Sequence, residues 1–174
     1  MANSERPNRQ SVRWRSFNYA GPGTVFLTIC TAKQAHLFGS VVGEAMELSP
    51  FGEIAAHEWQ RSSSMRPALV DHGWIIMPNH MHALVTFVVE NDETHGHSGA
   101  RQRARNSISS IVSGYKGATT SRIRQLTGEP LMDVWQRGFH DVVIRTEKMF
   151  DASAKYIVEN PVRWREDRYK DPEK

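Results

Sequence analysis

Two histidines one residue apart, His80 and His82, interrupt a run of strand-forming residues in "WIIMPNHMHALVTF", 74–87. On a strand, residues i and i+2 point to the same face. The two imidazoles therefore stand side by side, while Met81 and Ala83 face the other way. Neutral imidazole is the commonest protein donor to a divalent ion, so the pair could form half of a metal site. The alternative is a hydrogen-bonded pair, half exposed at a strand end. A second His-x-His, His95 and His97, lies in the polar "ENDETHGHSGARQRARN" and reads as part of a solvated loop.

The other residue with chemical potential is Tyr115, in "NSISSIVSGYKGATTSRIRQLTG". At 100° per residue, Ile108, Ile111, Val112, Thr119, Arg122, Ile123 and Leu126 spread around one side of a helix, with Tyr115 near the centre. That side should pack on a sheet, with Tyr115 as a core residue whose hydroxyl reaches the rim. Gly114 and Gly117 bracket the tyrosine, and each costs a helix interior about 1 kcal/mol relative to alanine. Two such glycines suggest a close approach to the helix, by the sheet or by a nucleic-acid backbone.

The elements that must position these groups can be read along the chain. "TVFLTICT" (24–31) is a strand preceded by a "GPG" turn, and "HLFGSVVGEAMEL" gives a short irregular β segment. In "SPFGEIAAHEWQRSS", Ser49 can cap a helix and Pro50 can take its first position. "ALVDHGWIIMP" and "HMHALVTFVV" are two strands meeting at Pro78-Asn79, and 107–126 is a helix. "DVWQRGFHDVVIRT" is a loop leading to a short strand, and "TEKMFDASAKYIVENP" is a last amphipathic helix ending near Pro161. This order predicts an α+β fold: a ferredoxin-like antiparallel sheet with helices packed mainly on one face. We divide the chain into a flexible N-terminal arm (1–15), one catalytic domain (16–164) and a charged C-terminal tail (165–174).

Composition sets the broad class. The chain has 174 residues, 39% hydrophobic and 24% charged, which suits one soluble domain. No stretch approaches the ~20 apolar residues of a membrane span, and a cytoplasmic protein is expected. Cys30 is the only cysteine, so disulfide frameworks within one chain are excluded. The net charge of +3 leans mildly towards polyanionic partners, but its distribution says more. Between Arg101 and Gly128 lie six basic residues, Arg101, Arg103, Arg105, Lys116, Arg122 and Arg124, and no acidic one. Such a segment is either a solvated face or a nucleic-acid contact.

The blocks "MPNHMHALV", "ISSIVSGYKGATTSRIR" and "VWQRGFHDVVIR…YIVENPVRW", with the early "FLTICT" and "MELSPFGEI", resemble the REP-associated tyrosine transposases. These are relatives of single-strand insertion-sequence transposases, in the class named for a His-hydrophobic-His motif. The resemblance runs from about Trp14 to Trp164. It implies that His80 and His82 hold a divalent ion, Mg²⁺ or Mn²⁺, on the scissile phosphate of single-stranded DNA at or near a hairpin. It matches the family's single nucleophilic tyrosine to Tyr115 and implies a 5′-phosphotyrosine link. It also implies phosphate contacts from the six basic residues and base stacking on Trp135 and Phe139, whose alternative is core packing. A monomer is favoured and a dimer is possible.

One position departs from the family. In related transposases a Gln or Asn lies one turn after the tyrosine and completes the metal shell. Here that position is Thr119, a poor ligand, which leaves Gln136, His140 and Asp141 as further candidates. Two other functions stay open: a non-catalytic hairpin-DNA binder on the same fold, and a metal hydrolase using water as nucleophile.

Overall fold

A computed structural model describes residues 23–88 and 107–164. Its centre is a four-stranded antiparallel sheet formed by β1 (Gly23–Cys30), β4 (Leu69–Met77), β5 (His80–Phe87) and β6 (His140–Ile144). The order β4-β5-β1-β6, with α1 (Pro50–Ser64) and α2 (Ile108–Thr127) as the crossovers, is the predicted ferredoxin-like arrangement. The irregular segment after β1 is a hairpin of its own, β2 (Gly39–Val42) with β3 (Ala45–Leu48). Among the described residues no helix is long and apolar enough to cross a membrane. The proposed arm, the tail, and with them Arg101, Arg103, Arg105, His95 and His97, lie outside the described residues.

Local chemistry explains the element ends. Ser49 caps α1 by accepting from the Gly52 N–H at 3.1 Å, with Pro50 at the first helical position. Ser107 caps α2 in the same way, and Gly128 closes it at φ 71°, a left-handed conformation that glycine adopts without strain. Pro78-Asn79 forms the tight turn between β4 and β5, flanked by the Met77–His80 pair. As expected, α3 (Glu147–Arg163) ends near Pro161, two residues beyond it. Only the final turn follows that proline, so its missing N–H removes a single helical hydrogen bond near an end that is frayed in any case.

Alternation along the strands divides the core in two. Val25, Leu27 and Ile29 of β1 and Met81, Ala83, Val85 and Phe87 of β5 pack with Trp59 of α1 and with Ile108, Ile111, Val112, Tyr115 and Ile123 of α2. The opposite face carries Phe26, Thr28, His80 and His82, and α3 covers it through Tyr156 and Trp164. Two of the three helices thus share one face, as predicted, and the last helix takes the other.

Gly114 and Gly117 do not mark a close approach by the sheet. A Cβ at Gly117 would meet nothing within 4 Å, and one at Gly114 would meet only the Arg66 guanidinium, at 3.3 Å. Gly117→Ala should therefore stabilise the domain by about 1 kcal/mol through helix propensity alone, read as a higher thermal midpoint.

Candidate active site on the third-helix face

His80 and His82 are buried, with 0% and 1% exposure, and their ring centroids lie 4.5 Å apart. The half-exposed alternative therefore does not apply. Each ring is held through Nδ1. That of His80 meets the Asn79 side-chain oxygen at 2.9 Å, and that of His82 meets the Thr28 hydroxyl at 2.9 Å. With Nδ1 engaged, Nε2 is the nitrogen each ring can offer to an ion, the usual design of an imidazole metal ligand.

Tyr115 is not beside them. Strand residues directly opposite each other share a face, and Tyr115 packs with Met81 and Ala83, on the far side of the sheet from the imidazoles. Its ring meets Trp59 edge-on at 5.3 Å and Trp135 at 5.3 Å, and it is fully buried. Burial pushes its phenol well above the ordinary value near 10, which disfavours the phenolate that attack requires. Tyr115 is a core residue.

Among the described residues, the tyrosine that reaches the histidines is Tyr156, on α3. Its half-buried ring lies 5.2 Å from that of His82 and 5.9 Å from that of Phe26. One turn on is Asn160, and one turn further is Trp164, whose ring lies 6.0 Å from that of His80. Residues four apart on a helix lie on one stripe, so Asn160 lies on the stripe that carries both ring contacts. Its side chain is fully buried, yet neither amide atom has a hydrogen-bond partner among the described residues. A buried amide left so costs about 1–3 kcal/mol, which suits a group that binds something else. Among the described residues no three His, Cys, Asp or Glu side chains gather around one point. An amide on this stripe could supply the missing third donor, and a set of two imidazoles and one amide oxygen would suit Mn²⁺, with Mg²⁺ satisfied through added waters.

The earlier third-donor candidates are dispersed. The Thr119 hydroxyl donates to the Tyr115 carbonyl on the far face. Asp141 pairs with Leu27 and so points to that same far face. Gln136 lines a groove beside α2. His140 pairs with Thr28 and shares the histidine face, but it is exposed and the β1 strand separates it from His82.

Those predicted DNA contacts that fall among the described residues lie on or beside α2, on the far side. Trp135 is wedged against Phe38 at 5.0 Å and against Tyr115, and Phe139 packs on the same core, both only partly buried. Arg122 pairs with the buried Glu58 at 3.0 Å, and Arg124 donates twice to the Met132 carbonyl. Lys116 and Arg124, with Gly117, Thr120, Ser121 and Arg137, line an open groove of about 910 Å³. Lys116 donates to the Gln136 carbonyl at 2.7 Å and to the Gly138 carbonyl, but burial still holds it down to about 8. Between that value and the unfolded value of 10.5 the unfolded chain binds more protons. Stability should therefore rise as pH climbs from about 8 to about 10.5, and this component should vanish in Lys116→Met, as urea titrations across that window would show.

The antiparallel sheet with its buried histidine pair and covering helix has the fold of an α+β tyrosine transposase. The chain superposes on the structure of a REP-associated tyrosine transposase bound to a REP hairpin with a TM-score of 0.59 and 22% identity, over 87% of this chain and 73% of that one. A candidate transposase from Deinococcus radiodurans R1 matches with a TM-score of only 0.42 and 16% identity, over 86% of this chain and 96% of that one. By sequence the chain belongs to one family with an uncharacterized protein of Haemophilus influenzae, to which it is 30% identical over 169 residues, 92% of each chain. No protein-family model matches.

Proposed function

We propose that this protein is a single-stranded DNA endonuclease and strand transferase of the REP-associated tyrosine transposase kind, acting through Tyr156. The observation that supports it is the placement of a helix-borne tyrosine 5.2 Å from His82, with an amide one turn further on. The spacing Tyr156 to Asn160 is the tyrosine-plus-one-turn pattern that Thr119 fails to provide after Tyr115. His80, His82 and Asn160 would hold a divalent ion, Mn²⁺ or Mg²⁺, which supplies charge neutralisation at a scissile phosphate. The Tyr156 oxygen attacks phosphorus and forms a 5′-phosphotyrosine bond. The P–O3′ bond breaks, the phenol proton passes to solvent, and the leaving oxygen takes up a proton as a free 3′-hydroxyl. The bond energy is kept in the ester, so a second 3′-hydroxyl can displace Tyr156 and rejoin a strand without ATP.

Histidines and tyrosine come from one chain, so a monomer can form the whole site. The substrate in this reading is hairpin DNA with a single-stranded flank, the partner suggested by the hairpin bound to the solved transposase. The best support for the non-catalytic alternative is Thr119, and Asn160 offers another third donor in its place.

The test is a denaturing gel of the full chain incubated with labelled hairpins carrying single-stranded flanks. A protein–DNA band that forms with Mn²⁺ or Mg²⁺ and disappears with EDTA is expected. Strand cleavage with no retained label would replace the tyrosine with water and favour the hydrolase.

A further inference from the structure

His80 and His82 are held by different kinds of group, and the difference reaches back to a turn outside the site. The Asn79 side chain is fully buried, and its Nδ2 donates to the Gln34 carbonyl at 3.1 Å. A carbonyl only accepts, so the amide is oriented: its NH₂ must face Gln34 and its oxygen must face His80. That oxygen lies 2.9 Å from His80 Nδ1 and can itself only accept. The proton of a neutral His80 ring therefore sits on Nδ1, and the lone pair on Nε2. Thr28 beside His82 is a hydroxyl, able to give or take a proton, and imposes no such choice.

Asn79 is in turn fixed by the fold. Its backbone carbonyl accepts from Thr31 twice, from the N–H at 2.8 Å and from the hydroxyl at 3.0 Å. Gln34 stands on a short turn where it and Lys33 both adopt φ of 54°, a left-handed conformation that side-chain-bearing residues rarely take. Two such residues in succession, with their strained carbonyl aimed at a buried amide, indicate that the orientation of Asn79 matters to the molecule.

We propose that Asn79 is a positioning residue which, oriented by the Gln34 carbonyl, locks His80 in its Nδ1–H tautomer and so presents the Nε2 lone pair to a divalent cation before that cation arrives. This rests on the metal reading of the site given above. The lock acts on the metal-free protein, where it lowers the reorganisation that binding would otherwise require.

The test uses the full-length, metal-free protein with ¹⁵N-labelled histidine, followed by long-range proton–nitrogen NMR above the imidazole titration range. Wild-type His80 should appear as the Nδ1–H tautomer. Asn79→Ala should show mixed tautomers and bind Mn²⁺, followed by electron paramagnetic resonance, about 10–100-fold more weakly. Asn79→Asp keeps an acceptor and should restore the tautomer, whereas Gln34→Gly keeps the carbonyl and should leave both readouts unchanged. Wild-type His80 in the Nε2–H form overturns the proposal even if no variant folds. So does an Asn79→Ala protein with wild-type tautomer and affinity. If the wild type shows the expected tautomer yet takes up no Mn²⁺, the metal reading fails, and the purpose assigned to the lock falls with it.

Discussion

Tyr156→Phe should abolish the covalent protein–DNA adduct, a loss of at least ~10³-fold, as expected when the only nucleophile is removed. Its stability should change little, since the ring is half-buried and the phenyl keeps its packing against His82 and Phe26. Tyr115→Phe should do the opposite of what the sequence suggests and leave adduct formation intact. Its hydroxyl is buried among Trp59 and Trp135, with Thr119 as the nearest polar side chain named for it, so deleting it should change stability by no more than about 1 kcal/mol. The larger truncation Tyr115→Ala removes a ring packed between Trp59 and Trp135 and should cost about 3–5 kcal/mol. Adduct gels and urea denaturation of the three variants separate the two tyrosines completely: one should lose only chemistry, the other only stability.

Asn160→Leu should separate stability from function in the reverse sense. Both amide atoms are buried and lack hydrogen-bond partners among the described residues, so a similarly shaped apolar side chain should stabilise the metal-free protein by about 1–3 kcal/mol. The same change removes the amide proposed as the third donor. Mn²⁺ affinity should fall by about 10–100-fold and adduct formation with it. Thermal midpoints measured in EDTA and in Mn²⁺ give both halves. The variant should melt higher than wild type in EDTA and lose the wild-type gain on adding Mn²⁺. A variant less stable than wild type in EDTA would mean that Asn160 is satisfied within the protein and is not held ready for an ion.

Much of the architecture was legible because it rests on short-range rules. Ser49-Pro50 and Ser107 mark helix starts by capping, and the alternation around His80 and His82 puts both rings on one face of β5. The placement of Tyr115 was not legible because a helical pattern says which side of α2 is buried but not which face of the sheet buries it. The face itself was within reach. If Met81 and Ala83 oppose the histidines and α2 packs on the apolar face, Tyr115 must lie with Met81. The spacing Tyr156-x-x-x-Asn160 in "YIVENP" also carries the tyrosine-then-amide signature within the last helix. Its amphipathic pattern looked like ordinary core packing, and Pro161 made the segment look like a helix end. The pairing of Arg122 was not legible for a different reason: charge in a sequence does not show whether a guanidinium is committed to a buried carboxylate, as Arg122 is to Glu58.

The central claim is that chemistry occurs on the α3 face of the sheet, and the attachment site of the DNA tests it most directly. The wild-type adduct would be formed in Mn²⁺, digested with nuclease and protease, and the peptide bearing the nucleotide remnant sequenced by mass spectrometry. The remnant is expected on Tyr156, in the peptide that also contains Asn160. A remnant on Tyr115 would contradict it, because that phenol would then have to leave the core and cross to the opposite face of the sheet.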